Sequence, residues 1–111
     1  MDCIFCKIAQ KKIKVEPVLE TDRVIVINDA HPQAPTHLLV LPKTHYSTLL
    51  DCNDKTLLAD MMEAAVTAAK KLGKDERGFR LAINTNEEGG QTVFHLHIHL
   101  LAGRPLNGAL G

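Results

Sequence analysis

Two hydrophobic rhythms run along the chain. Short apolar runs bounded by turn-forming residues occur at 18–20, 24–27, 37–41, 79–83 and 93–101, and each predicts a strand. A different period appears between 53 and 72. There Leu57, Leu58, Met61, Met62, Ala65, Ala69 and Leu72 recur at helical spacing and predict one long helix with a single apolar face. Asn53 or Asp51 is suited to cap its start and Gly73 to end it, while Lys70 and Lys71 in the last turn suit the helix dipole. The opening CIFCKIAQ spaces Ile4, Phe5 and Ile8 as a short helical turn. NDAHPQAPT at 28–36 holds two prolines and reads as a loop, Pro42 stops the strand that follows, and EEGG at 87–90 reads as a turn. Strands before and after a single long helix predict an α+β fold, an antiparallel sheet with helix packing on one face.

Composition narrows the classes of function. At 111 residues the chain is expected to form one domain, 1–111, with a core that needs no disulfide staples. Thirteen basic and thirteen acidic residues leave a formal net charge of zero. That balance argues against a nucleic-acid partner held by long-range attraction and against a basic membrane-surface protein. No aliphatic run approaches the length of a membrane span, and Met1, Asp2 and Cys3 do not resemble the positive start of a secretory leader. Three cysteines, an odd number, exclude a complete disulfide framework, so a reducing, cytoplasmic setting is expected. Lys11, Lys12 and Lys14 read as a solvated surface, and Cys52, just ahead of the long helix, as a buried thiol.

Chemistry concentrates in HLHIHLL. In a strand, alternate side chains share a face, so His95, His97 and His99 project together while Leu96, Ile98 and Leu100 point into an apolar layer. A lone histidine there would be a satisfied structural residue; three in strict alternation displace apolar burial and call for another explanation. Imidazole is a nucleophile, a proton carrier near neutral pH and a metal ligand. The spacing is compatible with a row that attacks phosphorus and with a pair that binds zinc. Gly89, Gly90, Gln91 and Thr92 lead directly into the row and supply close backbone approach, an amide and a hydroxyl, as at the edge of a phosphate site. Cys3 and Cys6, at i and i+3 of a short helix, place both sulfurs on one side, which is half of a zinc site or two free thiols. His31, in the loop, reads as solvated.

GGQTVFHLHIHLL resembles the signature of the histidine triad (HIT) superfamily of nucleotidyl hydrolases and transferases. CIFCKI, NDAHPQAPTHLLVLPKTH and NTNEEGGQTVFHLHIHLLAGRPL extend the resemblance over nearly the whole chain, most closely to the branch of purine nucleoside phosphoramidases. The resemblance implies an antiparallel five-stranded sheet with one long and one short helix, in a homodimer whose sheets continue across a two-fold interface. It implies hydrolysis of the P–N bond of purine nucleoside phosphoramidates through a nucleotidyl-histidine intermediate, with no catalytic metal. Dinucleoside polyphosphate hydrolysis and a zinc-stabilised nucleotide-binding adaptor are the alternatives.

Residue by residue, the resemblance makes His97 the nucleophile, with His99 on the phosphate oxygens, Thr92 beside the leaving amine and His37 supporting the row. Asn84 and the backbone at Gly90 and Gln91 would hold the phosphate, and Asp29 the ribose hydroxyls. Phe5, Ile13, Ile27 and Ala30 would wall the purine. Cys3, Cys6, His45 and His95 match a structural zinc site found in some relatives. The segment 104–111 would reach the partner's site.

Overall fold

A computed structural model describes residues 3–110; Met1, Asp2 and Gly111, which figure in the reading of the chain's two ends, lie outside the described residues. In chain order the elements are α1 (Ile4–Ala9), β1 (Leu19–Glu20), β2 (Val24–Asn28), β3 (Thr36–Pro42), a 3₁₀ turn (Leu49–Asp51), α2 (Lys55–Lys71), β4 (Phe79–Ala82) and β5 (Ile98–Ala102). They build the expected α+β fold. The five strands form one sheet in the order β1-β2-β3-β5-β4, and every neighbouring pair is antiparallel.

The continuous apolar runs of β2 and β3 follow from burial on both sides of the sheet. Val24, Val26, Leu38 and Val40 face α2 in one core cluster, while Ile25, Ile27, Leu39 and Leu41 join Phe5 and Ile8 of α1 in another. The expectation of helix packing on one face therefore needs correction, because the short α1 covers part of the opposite face. Among the described residues no helix is long and apolar enough to cross a membrane.

The buried face of α2 is Leu57, Met61, Ala64, Ala65, Ala68 and Ala69. Met62 and Leu72, placed on the apolar face by the sequence pattern, are instead 48% and 39% exposed, and Leu58 is half-buried. The face is rotated toward small alanines, whose size permits close approach to the sheet but gives little hydrophobic signal. The cap is Asp54, whose carboxylate accepts the Leu57 N–H at 3.0 Å, rather than Asn53 or Asp51. Asp51 instead closes a capping box with Thr48 at the 3₁₀ turn. At the other end, the Leu72 and Gly73 amides bond back to the carbonyls of Ala68 and Lys70.

The last strand is shorter than its alternating pattern predicts. Ladder pairing begins at Ile98, so His95 and His97 precede the strand. The alternation of faces persists nonetheless: Leu96, Ile98 and Leu100 lie in the α2-side core. Ahead of this segment, the 86–90 turn is tightly wound. A Cβ on Gly89 would stand 2.4 Å from the Thr85 carbonyl oxygen, and Gly90 has φ +80°. Both positions favour glycine for backbone reasons.

Candidate active site

A cavity of about 910 Å³ opens on the α1 side of the sheet. Phe5, Ile13, Ile27 and Ala30 supply part of its apolar wall, extended by Ile8 and Leu39. Asp29, His37, Asn84, Thr92, His97 and His99 bring the polar groups, and Gly90 its backbone. Residues from α1, β2, β3, the 28–36 loop, the 86–90 turn and β5 thus meet at one place. Gln91 does not line the cavity. Its side chain is buried, with the amide donating to the Ser47 and Val93 carbonyls and the oxygen accepting the Asn86 N–H. The expected amide beside the imidazoles therefore belongs to the turn's internal bracing.

Hydrogen-bond partners define the proton positions on the histidines. His97 Nδ1 lies 2.7 Å from the backbone oxygen of His95, an acceptor only, so Nδ1 carries the hydrogen and Nε2 the lone pair. His37 is the reverse case: its Nδ1 accepts the Gln33 amide at 3.0 Å, which puts the hydrogen of the neutral ring on Nε2. That Nε2 stands 2.9 Å from His99 Nδ1 and 3.3 Å from the Asp29 carboxylate. His99 Nδ1 therefore accepts, and its own hydrogen resides on Nε2. Burial pulls the His37 pKa below its ordinary value, against the raising influence of Asp29. Burial first, then the neighbouring His97 and His37, push His99 down to about 4. Both rings are consequently neutral near pH 7, as the network requires. Asp29 also accepts the His31 amide at 2.8 Å, and His31 is exposed but lines the cavity.

His95 turns to a second cluster. Cys3 Sγ and Cys6 Sγ approach its Nδ1 at 3.4 and 3.5 Å, and Cys6 Sγ lies 3.2 Å from His45 Nδ1. All four ligand atoms lie within 4.8 Å of one another. A tetrahedral zinc with ordinary Zn–S and Zn–N bonds would separate sulfur from nitrogen by roughly 3.6 Å. The residues therefore fit a Cys2His2 metal site. His95 Nε2 donates to the Pro42 carbonyl at 2.8 Å, which leaves Nδ1 as the lone pair facing the sulfurs. Burial lowers the His95 pKa, favouring the neutral ligand form, while burial and the neighbouring Cys3 raise that of Cys6. Cys52 is buried in the α2-side core, away from this cluster.

Asp29, His37 and His99 also lie close enough to hold an ion. Here the proton arrangement opposes it: His37 Nε2 carries a hydrogen, and moving that hydrogen to Nδ1 would set two donors, Nδ1–H and the Gln33 N–H, against each other. Gln33 and the carbonyls of His95 and Pro42 are contributors that sequence reasoning misses. Their part is played by backbone atoms, which carry no residue-type signal.

A family model described as HIT domain matches residues 10–106. The chain is 41% identical over 107 residues to a protein of Escherichia coli K12 named purine nucleoside phosphoramidase, covering 95% of this chain and 90% of that one. It is 43% identical over 107 residues to "Protein HitA" of Neisseria gonorrhoeae, covering 95% and 98% of the two chains. Among solved structures, a histidine triad protein from Clostridium difficile superposes with a TM-score of 0.94 at 46% identity, covering 98% of this chain and 96% of that one. A HIT family hydrolase from Legionella pneumophila Philadelphia 1 gives 0.94 at 45% identity, covering 99% and 100%.

Proposed function

Because the chain belongs to the HIT domain family, we propose that its histidine-lined cavity is the active site of a nucleotide hydrolase that cleaves the P–N bond of purine nucleoside phosphoramidates. One observation carries this reading. His97 Nδ1–H is bound to the His95 carbonyl at 2.7 Å, which turns the Nε2 lone pair toward a cavity that Asp29, Asn84, Thr92 and His99 also line.

In this mechanism the purine lies against Phe5, Ile13, Ile27 and Ala30, and Asp29 accepts hydrogen bonds from the ribose hydroxyls. Asn84 holds the phosphate where the backbone at Gly90 closes the cavity; the Gly90 and Gln91 N–H groups are already given to the Glu87 and Asn86 carbonyls, so the turn shapes this edge rather than donating to it. His97 Nε2 forms a bond to phosphorus as the P–N bond breaks, and the departing electron pair stays on the amine nitrogen. That nitrogen takes up a solvent proton relayed through the exposed Thr92 hydroxyl, and the hydrolytic water returns one proton to solvent in the second step. His99 Nε2–H, oriented by His37, donates to the non-bridging oxygens where negative charge accumulates. Water then attacks phosphorus, and the bond to His97 breaks as the nucleoside monophosphate leaves.

Cys3, Cys6, His45 and His95 hold a structural zinc in the same proposal, outside the chemical steps. A bound zinc would contribute folding energy by joining three separate segments. The working unit is a homodimer in the cytoplasm, where a reducing environment keeps Cys3 and Cys6 available to the metal.

The test is release of AMP from adenosine 5′-phosphoramidate, with His97→Ala measured alongside. Turnover by the native protein and its loss in the variant, with AMP binding retained, is the expected outcome. A native protein that binds AMP but releases none from the phosphoramidate would overturn the assignment.

A further inference from the structure

We propose that His95 is a positioning residue through which the metal site holds the nucleophile in its reactive tautomer. This rests on reading His97 as the nucleophile and the Cys3–Cys6–His45–His95 cluster as a metal site. The decisive feature is the peptide unit between His95 and Leu96. Its carbonyl accepts the His97 Nδ1–H at 2.7 Å, and its N–H, on Leu96, donates to the Tyr46 carbonyl at 2.6 Å. A planar trans peptide points these groups in opposite directions, so the anchor on one side sets the direction of the other.

Both anchors of that unit are joined to metal-ligating residues. His95 contributes its own imidazole, and Tyr46 directly follows His45. The unit precedes the ladder of β5, which begins only at Ile98, so strand pairing does not fix it. Phe5 adds a second route. It lies between Cys3 and Cys6 in sequence, and its ring stands edge-on to His95 and His97, with centroids 5.9 and 5.3 Å away. The same ring walls the cavity. A metal joining Cys3, Cys6, His45 and His95 therefore fixes the carbonyl that orients His97 and the phenyl ring that packs against it.

Zinc-loaded protein and chelator-treated protein, with zinc content measured in each, should differ at the His97 ring. Long-range ¹H–¹⁵N NMR should show a single Nδ1–H form with zinc and a tautomer mixture without it. Turnover of adenosine 5′-phosphoramidate should fall about tenfold or more on removal of zinc. In His45→Ala, the His97 signature and turnover should return together as zinc is added.

For protein that unfolds on chelation, cobalt(II) replaces zinc and AMP is the probe. Saturating AMP should shift the visible bands of cobalt, since coupling between two sites is reciprocal. Unchanged cobalt bands, or a His97 signature indifferent to measured loss of zinc, overturns the coupling while leaving both parent readings intact. Protein that takes up neither metal sinks the metal reading and the coupling with it. A signature that responds to zinc in a protein without phosphoramidate turnover supports the coupling and rejects the substrate assignment.

Discussion

The position of one hydrogen on each imidazole separates the roles of four neighbouring histidines. His37 and His99 work as neutral rings, and His99, with its pKa near 4, remains neutral well below the ordinary histidine range. This has a consequence for stability. Between about pH 6.5 and about pH 4 the unfolded chain binds a proton that folded His99 refuses. Stability from this group is therefore complete above the upper value and falls as pH drops toward the lower one. His37 and His95, also held below their usual values by burial, act in the same direction. Urea-unfolding midpoints across this range should decline toward acid pH, with a shallower slope in His99→Asn. Superimposable slopes for the two proteins would count against the assignment. The HLHIH alternation made the separation of imidazoles from aliphatics readable, but not which imidazole does what. That distinction lies in the acceptors they meet, the His95 and Pro42 carbonyls and the Gln33 amide, brought together by tertiary structure.

The elements were legible where size and period agree. The apolar runs of β2 and β3, the span of α2 and the turn at 86–90 follow from residue type, because each satisfies a strong local preference. Strand β5 begins later than its pattern because alternation describes an extended chain, whereas a strand also requires a hydrogen-bonded neighbour. The Leu96 N–H and His95 carbonyl are bonded elsewhere. In α2, the alanines that contact the sheet resemble solvent-facing alanines in the sequence, whereas Met62 resembles a core residue despite its exposure. Met61 is fully buried one position away, against the sheet face formed partly by Val24, Val26, Leu38 and Val40. Met61→Ala should reduce unfolding free energy by about 2–5 kcal/mol, through lost burial and a residual cavity. Equilibrium urea denaturation measures the change. A loss below about 1 kcal/mol would mean that α2 repacks around the smaller side chain.

At the scale of the whole molecule, the sheet ends at β4, which pairs with β5 on one side and, among the described residues, with no strand on the other. Exposed strand edges are templates for another strand, and α2 presents Met62 and Val66 at 48% and 40% exposure. These features support the homodimer implied by the family resemblance. A two-fold copy pairing β4 with β4 would join two five-stranded sheets and give the outward side of α2 an apolar partner. The C-terminal segment is tied to its own chain as far as Asn107. Arg104 donates to the Gln33 carbonyl at 3.2 Å and Arg80 to the Asn107 carbonyl at 2.7 Å. Beyond it, Leu110 is 84% exposed and available to a partner. Light scattering behind size exclusion should therefore report a dimer for the native protein and a monomer for Met62→Lys combined with Val66→Lys. AMP binding should survive in that monomer, because one chain already supplies Phe5, Ile27, Asp29, His97 and His99 to the cavity. A native monomer at micromolar concentration would remove β4 and α2 as the interface, as would a dimer that persists in the lysine variant. Loss of AMP binding on dissociation would instead show that the partner completes the cavity, with the segment beyond Asn107 as the contributor to examine.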